Sequence, residues 1–149
     1  MKKERINIAL TLLALLPMTF FLFVSIYGAF NILSSFDFND TLILISLIFG
    51  ILGYVGLLMN LKQNKELKAE SINFIFLLLG IVGFILFNSF EGGLKAWKWI
   101  LMIEDPDEWL MFVGPTLITI LLIVTKGKRL TTLYNRNTGE NDKIKRIDH

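Results

Sequence analysis

The chain carries one histidine, His149 at its last position, and no cysteine. Thiol nucleophiles, thiolate metal sites and disulfides are therefore excluded, and the side chain most often recruited for general acid–base work stands at the extreme C terminus. The sequence contains no HExxH signature, no serine with a visible base partner and no glycine-rich phosphate loop. Carboxylates remain. Asp37 and Asp40 form one small group, and Glu91, Glu104, Asp105, Asp107 and Glu108 form a larger one. Such oxygens suit calcium or magnesium, yet their spacing matches no calcium loop, and neither a metal nor any other cofactor is expected. Asp37 and Glu91 come nearest to a catalytic pair, but nothing in the sequence pairs them, so the expectation is a non-enzyme. An acidic surface has a second use, the docking of a basic partner.

The larger acidic group adjoins an aromatic stretch. Leu94 to Ile103 reads LKAWKWILMI. Lys95 and Lys98 fall about one turn apart, and Trp97, Trp99, Ile100 and Leu101 cover the rest, a pattern that predicts a short helix lying in a membrane interface. Trp97, Trp99 and Trp109 are rigid anchors of the kind that dominate binding surfaces, and equally of the kind that forms an interfacial belt. Asp105 suits a helix N-cap, Pro106 the first helical position and Glu108 the return half of a capping box. Asp107 and Glu108 also complement the helix dipole. Trp97, Trp99, Glu104, Asp105 and Asp107 are the candidate partner-binding residues.

The elements that position these residues follow from charge. Hydrophobic residues make up 54% of the 149, and only 19% are charged, against about a quarter in soluble domains. Four stretches lack Asp, Glu, Lys and Arg altogether: Ile6–Leu33, Thr41–Leu61, Ser71–Phe90 and Trp109–Thr125. About 20 apolar residues span the hydrocarbon of a bilayer as a helix, and a backbone in lipid must satisfy its own hydrogen bonds. The fold expected is an all-α membrane protein, a bundle of four transmembrane helices at about 6–33, 41–61, 71–90 and 107–125. Pro17 is expected to kink the first, and the long apolar run reads as a retained helix rather than a cleaved signal. Residues 1–125 form the membrane domain. Residues 126–149 form a basic tail, expected to be disordered, with Lys126 snorkelling from the last span.

The Lys and Arg distribution orients the bundle. Three lie in the N-terminal tail, three in the 62–70 loop and seven in the C-terminal tail, thirteen of the fifteen; Lys95 and Lys98 are the other two. The positive-inside rule puts both termini in the cytoplasm and the two acidic loops outside, as a multi-pass protein of the cell (inner) membrane. A net charge of +2 gives no footprint for nucleic acid.

Within the spans, Gly50, Gly53, Gly80 and Gly83 mark close helix packing, since small residues let backbones approach. GILGY at 50–54 and GIVGF at 80–84 predict a glycine-lined hairpin. Asparagines are expected near helix ends, solvated by the interface. No charge-free stretch holds an ionisable group, which argues against proton-coupled transport. Two functions stand at this point. One is a non-catalytic interaction protein that binds another membrane protein, itself or a toxin, as an accessory subunit or an immunity-type protein. The alternative is an oligomeric transporter or channel for a neutral solute or ion, not proton-coupled through a buried carboxylate.

Overall fold

The computed structural model describes residues 2–35, 37–62, 66–90, 97–98 and 100–147, the side chains of 2–4, 39 and 136–147 excepted. The elements run α1 (Lys2–Ser34), a 3-10 turn (Phe38–Asp40), α2 (Thr41–Leu61), α3 (Leu67–Phe90) and α4 (Pro106–Ile147). All four helices are long and apolar enough to cross a membrane, and no strand occurs among the described residues. The chain is an all-helical, multi-pass membrane bundle. Its surface agrees: Leu16, Phe23, Tyr27 and Phe30 of α1 are each about two-thirds or more exposed, an arrangement that hydrocarbon tolerates and water does not.

Two helices differ from their charge-free runs. α3 starts at Leu67, a turn ahead of Ser71, and so takes Lys68 and Glu70 into helix. α4 begins at Pro106, where the missing N–H costs nothing, and Trp109 N–H donates to Asp105 O at 3.0 Å. It continues through Pro115 and on to Ile147 as one helix, so the basic stretch after Thr125 is drawn as a continuation of the last span. α1 likewise continues through Pro17.

The α2–α3 hairpin is the tightest contact in the fold. A Cβ added to Gly53 would lie 2.5 Å from Gly80 Cα, and one on Gly80 would lie 2.6 Å from Gly53 Cα. Gly83 is similarly confined, an added Cβ falling 2.8 Å from both Ser46 O and Phe49 Cβ, and one on Gly56 would fall 3.0 Å from Leu77 N. Close packing replaces the hydrophobic drive that lipid removes. Gly50 is different, for its added Cβ meets only Ser25 Oγ, at 3.6 Å. α1 and α4 complete the bundle around Ala14, Leu15, Leu57, Leu77 and Leu122.

Candidate functional site

At the end of the bundle where α1 and α3 begin and α2 finishes, polar side chains from all four helices meet. Glu70 of α3 is 2% exposed and Lys126 of α4 is 8% exposed. The Lys126 ammonium donates to Glu70 Oε2. Arg129, one turn further along α4, brings Nη1 within 3.1 Å of Oε1, a charge contact rather than an aligned hydrogen bond. Asn73 lies one turn from Glu70 and is 1% exposed. In the amide orientation its neighbours dictate, it donates to Gly56 O at 2.8 Å and accepts from Lys126 Nζ at 2.9 Å and from Asn60 N–H at 3.3 Å. Asn60 Nδ2 in turn donates to Thr11 Oγ1 at 2.7 Å, and the Thr11 hydroxyl donates to Asn7 O at 2.7 Å. The chain of bonds thus runs from α1 through α2 and α3 to α4.

This clamp overturns three expectations. The candidate spans are longer than the charge-free runs and take in Glu70 and Lys126. Lys126 does not snorkel, because a carboxylate across the helix interface binds it more closely than a headgroup layer would. Asn73 is solvated by protein rather than by interface. One physical reason covers all three. A single charge in a span is prohibitive, whereas an acid matched to two bases, with its remaining partners supplied by amides, can be carried inward. The signal lay in paired spacing: Glu70 with Asn73 and Lys126 with Arg129, each a helical turn apart at spans whose ends meet.

Toward the opposite end the same helices part around a partly enclosed cavity of about 360 Å³. Ser46, Gly50, Gly53 and Leu57 line it from α2, Gly83 and Phe84 from α3, and Phe112, Pro115 and Thr119 from α4, with Phe21 and Ser25 from α1. Its wall is mainly hydrocarbon. Ser46 donates to Ile43 O at 2.6 Å, Asn88 to Phe84 O at 2.8 Å and Thr119 to Pro115 O at 2.7 Å, so these polar groups are turned back on their own helices. The space is only partly enclosed, so surrounding hydrocarbon has access to it. Phe21 and Phe112, rings 5.3 Å apart at 61°, join α1 to α4 along one side.

The candidate partner-binding residues lie at the cavity's far end. Trp97, Lys98, Ile100 and Leu101 are helical, and Met102 N–H closes the turn on Lys98 O at 3.1 Å. Ile100 reaches the cavity, and Trp97 stacks edge-on against Phe84 with centroids 6.3 Å apart. Glu104, Asp105, Asp107 and Glu108 are exposed. Trp109 is 45% exposed, and Trp99 lies outside the described residues, as do Lys95 and Glu91. The structure therefore gathers Trp97 and the acids at one end of the bundle. It leaves Gly53, Gly80 and Gly83 in helix contact, and all four glycines border the cavity, Gly50 without a close helix neighbour for its added Cβ. No group of three or more His, Cys, Asp or Glu side chains suited to a metal occurs among the described residues. No family model, curated protein or solved structure matches the chain.

Proposed function

We propose that this is a non-catalytic protein of the cell's inner membrane, with both termini cytoplasmic, that acts by binding another membrane protein or a membrane-directed toxin. The observation that carries this reading is where the reactive side chains are spent. The buried carboxylate is held by Lys126 and Arg129, and three of the cavity's polar groups are bonded to their own backbones. The exposed set is Leu101 and Met102 beside four carboxylates, with Trp97 half-buried against Phe84 behind them, an apolar patch and acidic rim suited to a basic partner. On this reading the short helical turn lies in the outer interface, and the clamp lies at the cytoplasmic end beside the basic loop.

The test is purification in mild detergent from the native host at native expression, with mass determination of the complex. A stoichiometric second protein is expected, lost when Glu104 and Asp107 are both changed to Lys. A homo-oligomer with no second protein, from wild type, would overturn the reading. The orientation has its own check, simplified by the absence of cysteine: Ser35→Cys and Glu104→Cys should react with an impermeant thiol reagent from outside, and Asn137→Cys should not.

A second reading, an oligomeric carrier, gains one observation from the clamp, which puts an ionisable pair inside the bundle. Solute flux in liposomes abolished by Glu70→Gln, with the fold retained, would favour it.

A further inference from the structure

We infer that the cavity is a binding site for a cationic amphiphile, a molecule with one apolar chain and a single ammonium or guanidinium head. Three observations converge on that class. Volume comes first, since about 360 Å³ sits at the small end of ligand pockets and far below what a helix occupies. Shape is second. The lining runs along α2 from Ser46 to Leu57, about 16 Å at 1.5 Å per residue, so the space is long as well as narrow. A slot mainly of hydrocarbon, in which Ser46, Asn88 and Thr119 already bond their own helices, selects a chain and not a polar body.

Charge is third. Phe112, Pro115 and Thr119 give α4 a cavity-facing stripe, and Glu108 stands one turn before Phe112 on that stripe. Glu108 is exposed and lies one turn beyond the lining, so on this proposal its carboxylate meets a head that emerges from the slot. Glu104, Asp105 and Asp107 stand close by in sequence, and with Glu108 they outnumber the two bases of that loop, Lys95 and Lys98; this balance disfavours an anionic head. The site shares Glu108 with the partner face proposed above and is otherwise built from the interior walls.

The test uses a decyltrimethylammonium probe with a diazirine in its chain, added to the full chain in phosphatidylcholine nanodiscs. Saturable photolabelling is expected within 46–57 or 112–119, and unlabelled decyltrimethylammonium should compete about three- to fivefold better than decanol. Glu108→Gln should bring the two competitors level without reducing competition by decanol. Gly50→Leu should abolish saturable labelling by filling the slot, since Gly50 lines it and its added Cβ meets only a serine hydroxyl. Equal competition by decanol in wild type would overturn the cationic preference. Absence of saturable labelling, or its survival in a folded Gly50→Leu, would overturn the site itself.

Discussion

Where α3 begins, four helices exchange hydrogen bonds through Thr11, Asn60, Asn73, Glu70 and Lys126; toward the other end α2 and α3 stay in contact at Gly83, and with α1 and α4 they border a cavity walled by Phe21, Phe84, Phe112 and glycine backbone. Helices in lipid gain little by hiding apolar surface from one another, because the lipid is as apolar as they are. Two devices substitute for that missing drive. The hairpin uses backbone contact at Gly53–Gly80, and the clamp uses directional polar bonds that have no alternative partner in hydrocarbon. With the bundle fixed at one end and along one hairpin, the opposite end leaves space between its helices. The contrast teaches that here rigidity and binding capacity are assigned to different ends.

Substitutions sharpen the contrast in a definite order. Gly53→Leu should have the largest effect, since even a Cβ there falls 2.5 Å from Gly80 Cα. We expect a loss of about 3 kcal/mol or more, seen as a collapse of the monodisperse peak in detergent. An unchanged thermal melt would show that the helices separate at no cost. Glu70→Gln should come close behind, at about 3–5 kcal/mol, because Lys126 stays buried without its counter-charge. Asn73→Ala strips Gly56 O and Lys126 of a partner and should cost about 1–3 kcal/mol. Thr11→Val keeps the shape and loses the bond from Asn60 and the bond to Asn7 O within its own helix; a stability lowered by about 0.5–1 kcal/mol is expected. At the cavity the sign should reverse. Gly50→Leu fills open space and should be neutral or stabilising by up to about 1 kcal/mol, so a strong destabilisation there would erase the distinction between the ends.

Much of the architecture was legible from charge alone, because a bilayer leaves a coarse imprint: uninterrupted apolar runs of spanning length. α2 shows this well, being bounded by Asp40 and Lys62. The glycine spacing at 50–53 and 80–83 was also legible, since nothing but close approach explains small residues at that period in lipid. The clamp was not, and the reason is specific. Scanning for charge-free runs ends a span at the first Glu or Lys, so Glu70 and Lys126 were assigned to loop and interface. Their pairing depends on two helices fifty-six positions apart, which no local window contains. The cavity was equally hidden. It arises from the space left between helices, and Gly50 reads like Gly53 until one is found against backbone and the other against a void.

The division between the ends is tested most directly by a paired apolar replacement, Glu70→Met with Lys126→Met, measured for both melting and partner retention. Matched apolar residues can replace a buried ion pair with little loss. The double variant should therefore melt close to wild type while each single variant falls by several kcal/mol, about 3–5. It should also co-purify with the same second protein. A double variant that folds normally yet loses the partner or a solute flux would contradict the account, and would make the Glu70–Lys126 pair a working site rather than a clamp.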